Sequence, residues 1–216
     1  MTDRKLAMTL AVATGVTLVA MAIVSAATGV TQEVHEHFAE PATYGARLIE
    51  QAKGLRVVMA LDVAFLCLYT AFFAALAMHL RTRGRPAVLV WIGLGAMVLT
   101  ALLDIVEDHH ILGMLDAAEH QVMPTAGAIA FQSVESASKF SVSFLSLVMF
   151  GLAIPRTTKL GIALALFLSV GTLLSAIAGY AMPPADAATV EAGRWAGFLA
   201  GFGLALAWLR REPDAT

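Results

Sequence analysis

The chain has 216 residues, of which 59% are hydrophobic and 14% charged, with a mean hydropathy of +0.78. Soluble domains carry about a quarter charged residues. A net charge of −2 with no long basic stretch excludes a protein that tracks nucleic-acid phosphates; the single cysteine, Cys67, excludes a disulfide scaffold; and the apolar content excludes disorder. An integral membrane protein remains.

About 20 mostly apolar residues are needed to cross a hydrocarbon core of roughly 30 Å. Six stretches meet this length: 6–30, 55–80, 87–106, 131–154, 160–182 and 192–209. Strict alternation, the mark of a transmembrane β-barrel, is absent. The first stretch has a basic start, and Val24-Ser25-Ala26 matches a signal-cleavage pattern. Its apolar run is about twice a 7–15-residue signal core, so it reads as a retained helix. The expected fold is all-α: one domain, a six-helix transmembrane bundle.

Basic residues set the orientation. Arg4 and Lys5, then Arg81, Arg83 and Arg85, then Arg156 and Lys159, then Arg210 and Arg211 all fall on one side if every span crosses once. The opposite loops hold Arg47, Lys53 and Arg56. Both termini are therefore expected in the cytoplasm, which requires an even number of spans. The turns Arg81–Pro86 and Pro155–Lys159 are short, so spans two and three, and spans four and five, should form hairpins.

The outer connections are longer. Thr31–Gly54 carries Glu33, His35, Glu36, His37, Glu40 and Glu50, and its part 44–53 could lie as a short helix on the membrane surface. Glu107–Ala130 carries Asp108, His109, His110, Asp116, Glu119 and His120. The third outer loop, Pro183–Ala188, is short.

Ionisable residues inside spans are expensive and commonly functional. Counted from the basic end of each helix, Asp62, Asp104, Lys139, Glu191 and Arg194 fall about 24–29 Å from the cytoplasmic boundary, and Glu107 and Glu135 about 31–33 Å. Asp104, Glu107 and Asp108 share one helix face, as do Gln132, Glu135, Ser136, Lys139 and Ser143. Lys139 is placed to offset the acids, most simply Asp104, with Glu135 one turn away. Asp62, Asp104, Glu107, Glu135 and Lys139 are the expected ion-pair or ligand-binding centre, opening toward the outer face. The competing reading is that these charges mark the edge of the membrane.

Asp104-Ile-Val-Glu107-Asp108 followed by Lys139-Phe140 resembles a pattern of small, uncharacterised bacterial multi-pass membrane proteins, which often carry Asp-x-x-Glu-Asn. The resemblance covers spans three and four, and Asp108 stands where those proteins have Asn. It implies a bacterial membrane, hence the inner membrane, and a shared polar centre, but no activity.

The outer histidines raise a metal hypothesis. His35, His37, His109 and His110 with Asp108 could supply a nitrogen–oxygen site for zinc. No His-Glu-x-x-His, Walker loop, Gly-x-Ser-x-Gly elbow or Cys-x-x-Cys-His occurs. No histidine lies mid-span to ligate haem, and Lys139 lies too near the outer edge for a retinal Schiff base. Gly197-x-x-x-Gly201 permits close helix contact, in a dimer or within the chain. Three functions stay open: binding or passage of a small polar solute, ion or lipid headgroup; a metal-dependent membrane hydrolase at the outer face; and a non-catalytic subunit of a larger membrane complex. Membrane lipid is the expected surrounding in all three, and nucleic acid a partner in none.

Overall fold

A computed structural model describes residues 2–181 and 187–212, with side chains from 192 onward in the second stretch. Met182, most of the expected loop Pro183–Ala188 and the Glu191 side chain lie outside the described residues. The order is α1 (Asp3–Thr28), a 3-10 turn (Glu33–His35), α2 (Pro41–Thr82), α3 (Ala87–Glu119), α4 (Ala126–Ala153), α5 (Lys159–Leu166), a π-helical segment (Phe167–Gly171), α6 (Thr172–Ala181) and α7 (Ala187–Arg211). No strand occurs among the described residues. The all-α fold and the six spans stand: six helical stretches are long and apolar enough to cross a membrane, α5 to α6 counting as one.

Two helices outrun the sequence reading. Segment 44–53 is not a separate surface helix, because α2 runs unbroken for 42 residues. At 1.5 Å per residue that is about 63 Å, twice the thickness of a hydrocarbon core. α3 continues to Glu119, so His109, His110 and Asp116 stand on a helix and not in a loop. The cause is packing. Tyr44, Leu48, Leu55 and Met59 of α2 recur at helical spacing and pack with Val30, Ile111, Met114, Leu115 and Ile129 in one buried apolar cluster. In water, burying each such large side chain contributes roughly 1.5–3 kcal/mol. Pro41 opens α2 where its missing N–H costs nothing, and the Glu40 carboxylate accepts from the Ala42 and Thr43 amides at 2.9 and 3.2 Å. At the other end Gly84 takes φ +66° and the Arg85 amide returns to the Leu80 carbonyl, which closes the helix before the turn to α3.

The chain divides into two compact units. One comprises Met1–Val16, Cys67–Leu99 and Ser141–Thr216. Its interior holds the rings of Phe72, Phe73, Phe150 and Phe202, in contact at 5.0–5.3 Å between centroids. Arg4 donates to the Glu212 carbonyl, Arg83 reaches the Glu212 carboxylate at 3.2 Å, and Arg85 donates to the Ala153 carbonyl at 2.7 Å. The start of α1, the α2–α3 turn, the end of α4 and the chain after α7 thus gather, as an even number of crossings requires. Gly201 lets the Phe167 ring approach to 3.2 Å of where a Cβ would stand, whereas no atom lies within 4 Å of such a carbon on Gly197 among the described residues.

The second unit comprises Thr17–Leu66 and Thr100–Phe140. It contains the apolar cluster and every candidate in the predicted ion-pair centre. Around that centre, apolar side chains of α3 and α4 face out and ionisable ones face in. Leu102, Ile105 and Val106 are exposed beside buried Asp104, Glu107 and Asp108; Phe131 and Val134 are exposed beside buried Gln132, Glu135, Ser136 and Lys139. This is the arrangement a hydrocarbon solvent selects.

Candidate functional site

Three helices and one turn build the centre. α2 brings Asp62; α3 brings Asp104, Glu107 and Asp108; α4 brings Gln132, Glu135, Ser136 and Lys139. The 3-10 turn and its flanks bring Gln32, His35 and Glu36. On each element the spacing of three or four residues turns these groups onto one face.

Lys139 is the hub. Its Nζ lies 2.8 Å from Asp104 Oδ1 and 3.6 Å from Glu36 Oε1, and it pairs with the Glu107 carboxylate as well. Glu107, fully buried, also accepts from the Ser136 hydroxyl and from Gln132 Nε2 at 3.2 Å. Asp108 accepts from Gln32 Nε2 at 2.9 Å through Oδ1. Its Oδ2 is buried with no hydrogen-bond donor. Asp62 is 7% exposed, and among the described residues no hydrogen bond or ion pair holds its carboxylate. One carboxylate oxygen each from Asp62, Asp104 and Asp108 lie within 4.8 Å of one another.

The turn is fixed from α2. Tyr44 donates its hydroxyl to the His35 carbonyl at 3.0 Å, and its ring meets the imidazole edge-on. His35 Nε2 bonds Gln51 Oε1 at 3.0 Å, and Arg47 donates to the Val34 carbonyl at 3.3 Å. Burial lowers the His35 pKa to about 4; the Gln51 bond opposes this and the Arg47 charge adds to it. A neutral ring accounts for the contact to Gln51: Nε2 carries the hydrogen and Nδ1 is left buried without a partner. His35 therefore anchors Gln32 and Glu36, its neighbours on the turn.

The predicted residues sort as follows. Asp62, Asp104, Glu107 and Lys139 come together, with Asp108 beside them. Glu135 stands on the same face of α4 but turns to His110, whose Nδ1 lies 2.6 Å from its Oε2. The five residues expected for zinc do not converge. His35 is taken by Gln51, His110 by Glu135, and His109 Nδ1 by the Ile105 carbonyl in its own helix. His37 is exposed, and Asp108 belongs with Asp62 and Asp104. That acidic trio is the one group of three or more such side chains among the described residues with ligand atoms close enough to share a metal. Its donors are all oxygen, which suits magnesium, calcium or manganese better than zinc. One turn further along α2, α3 and α4 stand Met59, Ile111 and Ile129, members of the buried apolar cluster.

Sequence reasoning gave no site role to Gln32 and Glu36, which reach Asp108 and Lys139 from the α1–α2 connection. A signal was present: Gln32, His35 and Glu36 repeat the spacing of Asp104, Glu107 and Asp108. Comparison of the chain with protein-family models, curated proteins and solved structures finds no match.

Proposed function

We propose that the protein binds, or passes across the membrane, a small cation or proton at the Lys139 centre. One observation carries the reading. Glu36, Asp62, Asp104, Glu107 and Asp108 are buried together, and Lys139 is the one buried lysine or arginine among the described residues. Carboxylates this close in a poorly polar interior need compensating positive charge beyond what one ammonium supplies. A proton or cation is the simplest source, and its arrival or loss changes the balance around Lys139. The apolar exterior of the same helices argues that these charges are not a membrane-edge fringe. We place the protein in a bacterial inner membrane with both ends cytoplasmic, on the distribution of basic residues and the pattern shared by spans three and four.

The test is proton exchange by the purified protein, alone and in liposomes. Detergent-solubilised protein is titrated for bound protons, and liposomes with a trapped pH dye are given a step in external pH or salt. Protein-dependent proton uptake or a change in internal pH, altered by both Lys139→Met and Asp104→Asn, supports the reading. Titration equal to that of both variants, together with liposomes that behave as protein-free ones, overturns it.

A further inference from the structure

We infer that Asp62, Asp104 and Asp108 form a site for a divalent cation of the hard, oxygen-liganded class. The inference rests on the reading of the Lys139 centre and names its ligand. Metal–oxygen distances of about 2.0–2.6 Å place two oxygens of one coordination sphere roughly 3–5 Å apart. One oxygen from each of the three aspartates falls within 4.8 Å of the others. They come from two helices, α2 and α3, so the grouping is tertiary and not a run of acids along one chain segment.

Proximity of acids alone would not carry the inference. The second observation is the state of the donors around them. Asp62 is more than nine-tenths buried as a residue, and among the described residues no hydrogen-bond donor or ion-pair partner reaches its carboxylate. Asp108 Oδ2 is likewise buried and without a donor, while its other oxygen is held by Gln32. Buried oxygens of this kind are costly unless something positive lies between them. Gln32 acts on Asp108 as an outer-shell partner acts on a metal ligand: it fixes the carboxylate and leaves one oxygen to coordinate.

Lys139 does not defeat the site. Its Nζ is 2.8 Å from Asp104, but Glu36 and Glu107 are also in its reach. Asp104 can give its charge to a cation while the ammonium stays paired. A divalent ion answers the two carboxylates, Asp62 and Asp108, that pair with no lysine or arginine among the described residues.

The experiment uses full-length protein in detergent at pH 7.5 with Mn²⁺ as the probe, read by loss of the free-ion paramagnetic resonance signal. The expected result is one Mn²⁺ per chain, displaced by Mg²⁺ or Ca²⁺, and at least tenfold weaker in both Asp62→Asn and Asp108→Asn. Asp62→Asn is nearly isosteric at a side chain with no hydrogen bond to lose, so folding should survive; helicity and gel filtration check it. Asp116→Asn, at an exposed carboxylate paired with Arg56, controls for surface binding and should bind as the parent does. Absence of Mn²⁺ binding up to about 1 mM, the weak end of protein calcium sites, overturns the inference. So does binding that neither aspartate substitution weakens. If Mn²⁺ fails while proton exchange persists, the metal site falls and the proton reading stands; if both fail, both fall.

Discussion

Lys139 Nζ on α4 sits 2.8 Å from Asp104 Oδ1 on α3, 35 positions earlier in the chain. Removing one partner of a buried pair strands the other, at about 3–5 kcal/mol. Lys139→Met strands three carboxylates and should lower thermal stability by that order. Adding Asp104→Asn to it should recover part of the loss. A double-mutant cycle on detergent-solubilised protein reads the coupling; a double variant no more stable than Lys139→Met would show that the pair does not act as one.

His35 gives a pH dependence with a defined sign. Its folded pKa, about 4, lies below the usual 6.5, so the unfolded chain takes up the proton first as pH falls. The contribution is complete above about pH 6.5, declines through the interval and is gone near pH 4, with a total of about 3 kcal/mol. Thermal unfolding at pH 7 and pH 4.5 should show the loss. His35→Gln should be less stable at pH 7 and should lose less on acidification than the parent. An equal acid loss in both proteins would remove His35 from the account.

Gly151 and Gly95 make a paired test of packing. A Cβ on Gly151 would stand 2.8 Å from the Ser169 amide nitrogen and 3.0 Å from the Ala165 carbonyl oxygen, both backbone atoms that cannot swing aside. Gly151→Val should therefore destabilise the protein by roughly 1–3 kcal/mol or more. Gly95 has no atom within 4 Å of such a carbon. Gly95→Ala should be neutral or should stabilise by up to about 1 kcal/mol, since alanine suits a helix interior better. Melting temperatures of the two variants check both signs.

Orientation is checked with single cysteines in a chain carrying Cys67→Ser. Ala42→Cys and Thr157→Cys both place the thiol at exposed positions. A membrane-impermeant maleimide should label position 42 in intact cells and position 157 only after lysis. The opposite pattern would invert the proposed topology.

Much of the fold was legible because hydrocarbon imposes a simple length rule on apolar runs, and the six spans follow from it. The Lys139–Asp104 pair was legible because charge balance and equal distance from the basic ends both pointed there. Helical periodicity says which residues share a face but not which face another helix meets. Hence Glu135 was expected beside Lys139, yet His110 takes it. Gln32 and Glu36 escaped because a short 3-10 turn has no hydropathy period to announce it, and its bond to Asp108 spans 76 positions. The lengths of α2 and α3 were underestimated because Tyr44, Leu48, Ile111 and Leu115 hold those helices together past the end of the apolar run.

An uninterrupted helix transmits torque. From Pro41 to beyond Asp62, α2 has no proline, π turn or other break to absorb a twist. Successive residues are about 100° apart around the axis, so a rotation of that size imposed at the Pro41 end, against the packing of Tyr44 and Leu48, would carry Asp62 away from its two aspartate neighbours and bring apolar Leu61 or Val63 toward them. The 3-10 turn, which Tyr44 and Arg47 hold against this end of α2, therefore has its hand on a crank to the acidic centre.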